Sequence, residues 1–329
     1  MNRIRTLGVI LLVVVVAYTA AWFWAAGQIT GYAKGLETAD AVTTPRLKCG
    51  SFGVGGFPFG FDLNCTSATV TLADTTVTLS GLRLSAEVYS PTHVLASAQS
   101  PATVEDAFTG SKRRLDFVSA EGSARLAGWR IGRVSVIVEK PVWNDTVLDD
   151  RLIAKADHVE AHLVDLPAKY DSAKGLAALG EYAKIDNLAA PGLEIGAGNT
   201  VFEGEVTNLP DDVRTYGDAD LLKRWQAAGG QFTLVSLKGD DSASGERFAA
   251  TGNFNLDSQG RLGGQLKLNS KGLVERFGAA IPERFKGLIV GGPATDGSYS
   301  QTVNIAAGVV FAGIVPAAVI PPLYDSAAP

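Results

Sequence analysis

"ATVTLADTTVTLSGLRLSAEVYSP" (residues 68–91) carries apolar side chains at Val70 and Leu72, then Val77 and Leu79, then Leu82, Leu84, Ala86 and Val88, with polar residues between them. A period of two sends alternate side chains to opposite faces of an extended chain, so the stretch predicts half-buried β-strands. The pattern continues through "RLDFVSAEGSARLAGWRIGRVSVIVEKP" at Leu115, Phe117, Leu126, Trp129, Ile131, Val134, Val136 and Val138, until Pro141 ends the run. Further on, "RFAATGNFNLDSQGRLGGQLKLNS" (residues 247–270) gives Phe248, Ala250, Phe254 and Leu256 the same parity as Leu262, Leu266 and Leu268 across the turn "DSQG". That is the signature of a β-hairpin.

Helical periodicity is sparse and lies beyond residue 165. "DSAKGLAALGEYAKI" places Leu176, Leu179, Tyr182 and Ala183 on one helical face, with Asp171 as N-cap. "GDADLLKRWQAAGG" predicts a second helix carrying Leu221, Leu222 and Trp225, capped by Asp218 and stopped at Gly229. "SKGLVERFGAAIPERF" predicts a third, with Leu273 and Phe277 inward and Pro282 at its end. The apolar run at residues 305–323 is broken by Gly308, Gly313, Pro316, Pro321 and Pro322, so a buried strand followed by an extended proline segment is expected there rather than a membrane helix. The fold class is therefore mainly β with a few helices (α+β), as a curved, largely antiparallel sheet.

At the amino terminus Arg3 and Arg5 precede "LGVILLVVVVAYTAAWFWAA", twenty residues without a charge. A helix needs about twenty apolar residues to cross the hydrocarbon of a bilayer. A cleaved signal peptide has a shorter apolar stretch of about 7 to 15 residues and a small-x-small site. Only Thr19-Ala20-Ala21 offers such a site, and Tyr18, Trp22, Phe23 and Trp24 cluster at the far end, where aromatic rings favour the interface. An uncleaved anchor in the inner membrane is expected. The basic residues before the span put the amino terminus in the cytoplasm and the bulk of the chain in the periplasm. Three segments result: residues 1–28 as stub and anchor, 29–170 as a β-rich first half, and 171–329 as a second half with interspersed helices, continuous with the first.

The two cysteines lie in "CGSFGVGGFPFGFDLNC", residues 49–65. In an oxidising compartment Cys49 and Cys65 read as a disulfide, the alternative being two separate buried thiols. A zinc site needs four ligands, and there is no third cysteine. A pI near 5.3, a formal net charge of -5 and no basic block remove the electrostatic footprint that nucleic acid requires.

Catalytic motifs are missing. "DHVEAH" sets His158 and His162 around Glu160, but the alternation of its flanks predicts a strand with those three on a solvated face and Val159, Ala161 and Leu163 inward. The pairs Asp211-Asp212 and Asp240-Asp241 lie in turn-like stretches, "FGVGGFPFG" lacks dinucleotide-binding spacing, and no Gly-x-Ser-x-Gly elbow occurs. The chain is expected to be neither an enzyme nor dependent on a cofactor or metal.

The order of an amino-terminal span, "C…GFPFGFDLNC", "LLKRWQAAGGQFTL…GNFNLDSQGRLGGQLKL" and a proline-rich end resembles the uncharacterised bacterial envelope family known as domain of unknown function 2125. The resemblance covers nearly all of the exterior chain and implies no known activity. The hairpin segment also resembles pieces of AsmA-like proteins, membrane-anchored β-rich envelope proteins associated with lipid transport and outer-membrane assembly.

Phe57, Phe59 and Phe61 alternate with small residues, which would set three rings on one face of a strand. The plainer reading is core packing; the functional one is an apolar groove that holds an acyl chain. Two functions follow: a membrane-anchored periplasmic module that binds lipid or another hydrophobic ligand, or a structural and assembly protein whose partners are other envelope proteins.

Overall fold

The computed structural model describes residues 2–277 and 290–324. In chain order its elements are α1 (Asn2–Glu37), β1 (Arg46–Lys48), β2 (Ser51–Gly55), β3 (Gly60–Leu72), β4 (Thr75–Glu87), β5 (Ser90–Asp106), β6 (Ser111–Asp116), β7 (Ser119–Ala127) and β8 (Arg130–Glu139). Next come β9 (Val142–Asp145), β10 (Arg151–Lys155), β11 (His158–Asp165), β12 (Leu176–Ala190), β13 (Ile195–Pro210) and α2 (Leu221–Ala227). The chain closes with β14 (Gln231–Asp241), β15 (Glu246–Leu256), β16 (Leu262–Lys271), α3 (Leu273–Phe277), β17 (Tyr299–Ala306), β18 (Val309–Ala312) and β19 (Val315–Val319). Two compact units form: Met1–Ser123 with Val142–Leu152, and Ala124–Pro141 with Ile153–Pro329. Antiparallel strands dominate, in agreement with the α+β assignment.

In the first unit β3 pairs with β4 and β4 with β5, through registers such as Leu63↔Leu84 and Leu84↔Ala96. The ladder continues through Ala102↔Leu115 to β6 and Leu115↔Trp143 to β9. On the opposite edge of β3, β1 and β2 lie end to end, pairing Leu47 with Val70 and Val54 with Leu63. Cys49 sits at the break between them and forms a disulfide with Cys65, the Cα atoms 5.3 Å apart. The bridge fastens an interrupted edge strand where the ladder alone is short.

Helix α1 continues eleven residues beyond the uncharged run that ends at Ala26. It does so because Trp22, Ala26, Ile29, Ala33 and Leu36 recur at helical spacing, and all five are buried or half-buried. The apolar residues before Tyr18 are exposed throughout. By length and composition α1 is able to cross a membrane.

In the second unit β11 lies between β8 and β12, with Ala161 facing Val136 and Ala183. From β11 to β19 each strand pairs with the next in sequence. The hairpin expected over residues 247–270 is present, with Leu256↔Leu262 closing it and Gly260 at φ +72° in its turn.

The first expected helix is not one. Residues 176–190 form β12, inserted between β11 and β13. Register shifts between Ala177 and Leu179 and between Ile185 and Leu188 interrupt the period of two, which is why the stretch imitates a helical pattern. Asp171 caps only a turn, accepting from the Ala173 and Lys174 backbone N–H groups. Helix α2 exists, with Trp225 buried and Gly229 at φ +73° beyond its end, but the Asp218 side chain pairs with Arg224 instead of capping. Helix α3 covers the start of the third expected helix, and the stretch through Pro282 lies outside the described residues. The carboxy-terminal run folds as two strands rather than one buried strand: Gly313, at φ +62°, turns β18 back as β19, and β19 is mostly exposed.

The double substitution Cys49→Ser/Cys65→Ser is expected to cost about 3 kcal/mol of stability, by the chain-entropy estimate for a loop of this size. Urea unfolding of the two proteins measures it, and coincident midpoints would remove the bridge from any stabilising role.

Candidate functional site

The turn between β2 and β3 is the junction between sheet and helix. Gly56 takes φ +95°, and a Cβ there would lie 2.8 Å from the Gly60 carbonyl oxygen, so only glycine fits. Pro58 has no N–H to give a ladder. Phe57, Pro58 and Phe59 therefore form a turn, and the expectation that Phe57, Phe59 and Phe61 share one strand face is corrected. Phe61, in β3, stacks flat on Trp22 with ring centroids 5.2 Å apart. Phe57 meets the edge of Trp22 at 5.4 Å and stacks on Phe23 at 5.8 Å. Phe59 points elsewhere and is 73% exposed. The Trp22 indole donates to the Gly60 carbonyl at 2.9 Å, and the Tyr18 hydroxyl donates to that of Pro58.

From Phe61 an apolar face runs along the sheet. Successive rows across β3, β4 and β5 are Phe61, Ala86 and Val94; Leu63, Leu84 and Ala96; then Cys65, Leu82 and Ala98. Of these nine only Cys65 is fully buried, the other eight being half-buried. The alternate positions Asp62, Asn64, Arg83, Ser85, Ser97 and Gln99 make the opposite face mostly polar, Leu95 beside Ser85 being an exposed exception, with an Arg83–Asp62 ion pair at 3.4 Å. A sheet with one apolar face lowers its free energy by covering it.

The second unit has an apolar face of its own. Phe202, Phe232 and Phe254 stack in sequence, with centroids 6.4 and 5.9 Å apart. Gly204 makes room for them: a Cβ there would lie 2.8 Å from the Phe202 ring, 3.0 Å from Phe232 and 3.1 Å from the Glu181 carboxyl. Glu181 is thus a lone acid among rings, and burial pushes its carboxyl above the usual range. The sequence reading missed this group, although the alternation in "QFTLVSL" was available to find Phe232.

His158, Glu160 and His162 share one face of β11, as expected, but that face is not the solvated one. The His162 side chain is only 16% exposed and stacks on Tyr182 at 5.9 Å, whereas Ala161 is exposed. Long neighbours cover the polar face and leave the small residue bare. The Glu160 carboxylate lies between the two imidazoles, 3.6 Å from His158 and 3.3 Å from His162, and Glu139 bonds His158 at 2.8 Å. The bond to Glu139 raises His158 above its ordinary value despite desolvation. Burial acts to raise Glu160, yet its bonds from His162 and His158 hold it lower. Among the described residues no group of three or more His, Cys, Asp or Glu is arranged to hold a metal.

Residues 22–321 match a bacterial family described as "Uncharacterized protein conserved in bacteria (DUF2125)". The chain belongs to that family. No curated protein and no solved structure matches it, so the likeness to AsmA-like proteins has no support from these comparisons. The family spans Trp22, the cysteine loop, both apolar faces and the final hairpin, so the junction of helix and sheet falls within it.

Two acid–base predictions follow from these surroundings. Glu139→Gln is expected to lower the His158 pKa toward its ordinary value, read by NMR titration. The stability that this bond contributes is present below the unfolded histidine pKa and lost as pH rises through the raised folded value. Glu181 has the same sign: its raised carboxyl pKa makes the native state less stable as pH climbs above about 4.3. Glu181→Gln is expected to match the parent in Tm near about pH 4 and to exceed it near about pH 8; equal midpoints at both would place the carboxyl in solvent.

Proposed function

We propose that this chain is a non-catalytic, single-pass protein of the bacterial inner membrane whose periplasmic β-sheet binds the acyl chain of a lipid or a similar hydrophobic chain. The observation that carries this reading is the continuity of the first unit's apolar face with the membrane helix. Its first row, at Phe61, is stacked on Trp22, and behind it Leu63, Leu84, Ala96, Leu82 and Ala98 are half-buried, only Cys65 being closed over. From Phe61 to Cys65 the three rows extend about 13 Å at the rise of a strand. A hydrophobic chain leaving the membrane along α1 meets this face without crossing water.

Three features support the placement. Arg3 and Arg5 precede the uncharged run, and no charge follows it until Lys34, which orients the amino terminus toward the cytoplasm. The Cys49–Cys65 disulfide suits an oxidising compartment. The polar faces and acidic pI suit an aqueous exterior without nucleic acid.

The test uses full-length protein in mild detergent and a fluorescent fatty-acid probe. Leu84→Asp sets a charge on the middle of the face, and Leu84→Trp fills it without charge; each is expected to weaken probe binding about tenfold or more, near 1.4 kcal/mol. Arg83→Ala, on the opposite face, is expected to leave binding unchanged. Undiminished binding in both Leu84 variants would overturn the site. Absence of probe binding by the parent protein would favour the assembly reading, in which another envelope protein covers the face.

A further inference from the structure

The Phe57–Phe59 turn lies lower on α1 than an exterior loop should. At the helical rise of about 1.5 Å per residue, Trp22 is about 6 Å and Tyr18 about 12 Å inside the end of the apolar run at Ala26. Half the hydrocarbon thickness is about 15 Å. Both residues hydrogen-bond to backbone carbonyls of this turn, at Gly60 and Pro58. With the span ending at Ala26, the turn is carried to the depth of a leaflet.

The side chains match that depth. Phe57 is 46% exposed and Phe59 73%, although both are large and apolar. The neighbouring turn between β4 and β5 is tied to the same place, because the Val88 N–H donates to the Phe59 carbonyl at 2.9 Å, and its Tyr89 is 76% exposed. Behind these rings a cleft of about 370 Å³ is lined by Phe59 together with Asp62, Ser85, Glu87 and His93. Apolar rings at the tip with polar groups one step behind is the arrangement of a segment resting in a membrane interface.

We infer that the tip formed by Phe57, Pro58 and Phe59, with Tyr89 beside it, is a second membrane contact that enters the exterior leaflet next to α1. It rests on the proposal that α1 spans the membrane, and it goes beyond that proposal by fixing how the sheet meets the bilayer. A helix alone lets the sheet swivel about its axis. Rings held in the leaflet on one side of the helix stop that rotation and keep the first row of the apolar face at the lipid surface.

The experiment places photoreactive benzoylphenylalanine at single positions of the full-length protein: Phe59, Phe57, Leu12 within the span, and Thr75 at the opposite end of β4. Each protein is reconstituted into vesicles of phosphatidylethanolamine and phosphatidylglycerol, irradiated and examined by mass spectrometry for lipid adducts. Adducts are expected at 12, 57 and 59, at least several-fold above those at 75. Adducts at 12 with 57 and 59 no higher than 75 would overturn the inference and leave the anchor intact. Absence of adducts at 12 as well would overturn both. Protection of Cys49 and Cys65 from alkylation before reduction reports that each variant is folded.

Discussion

The stack of Trp22 on Phe61, with the indole N–H bonded to the Gly60 carbonyl, holds the first unit to its helix. A flat contact between rings fixes the approach and the tilt, and the hydrogen bond fixes the position along the strand. Neither is strong alone: aromatic pairs contribute about 0.5–1.5 kcal/mol beyond area burial. Together they determine where β3 starts relative to α1. Because β3 is the strand on which β1, β2 and β4 all register, the placement of one ring is passed through the ladder to the whole sheet. The glycines on either side of the Phe-Pro-Phe turn exist to let this contact form, since at Gly56 any side chain would collide with the carbonyl of Gly60.

Both units leave an amphipathic sheet incompletely covered. Their fully buried apolar residues are mostly small, such as Ala68, Ala102, Ala177, Ala178 and Ala250, with few large side chains among them. A core filled in that way allows strands to pack against close neighbours, and it leaves the larger residues on the faces, half in contact with solvent. Such faces are tolerated when something else completes them. The first unit's face begins at the long apolar helix α1, which is why lipid is the proposed occupant, and Glu181 shows that the second unit's face is not uniformly apolar.

Much of the fold was legible because strands with one polar face write their period directly into the chain. The run at Phe248–Leu268 alternates cleanly and its register follows the parity of the sequence, whereas the run around Val70–Val88 alternates on both sides of one switch of parity, at the register shift between Leu79 and Gly81. Residues 176–190 were misread for an identifiable reason: three register shifts break the alternation, and alanine and leucine favour helix where neighbouring strands do not decide otherwise. The site was legible in parts. The aromatic end of the uncharged run and the Gly-Phe-Pro-Phe-Gly turn were both visible, but their contact joins residues about forty positions apart and no local pattern encodes it. The Phe202, Phe232 and Phe254 stack was hidden similarly, since Phe202 lies two rows from the Phe232–Phe254 pair and reaches it only across Gly204, which has no side chain in between.

The order of strands from β11 to β19 has a consequence for assembly. Every strand pairs with its successor, so the sheet is able to grow from one side as the chain emerges, with longer connections to close only between β13 and β14 and between β16 and β17. Growth by addition always presents an unpaired edge, and an unpaired edge invites another chain. Here the final strand stops it. β19 holds Pro316, and Pro321 and Pro322 follow directly, so the outermost backbone loses the donors that a further strand would use. Pro316, Pro321 and Pro322 thus make this edge a poor template: a strand laid against it would gain fewer backbone hydrogen bonds than one laid against an edge without proline.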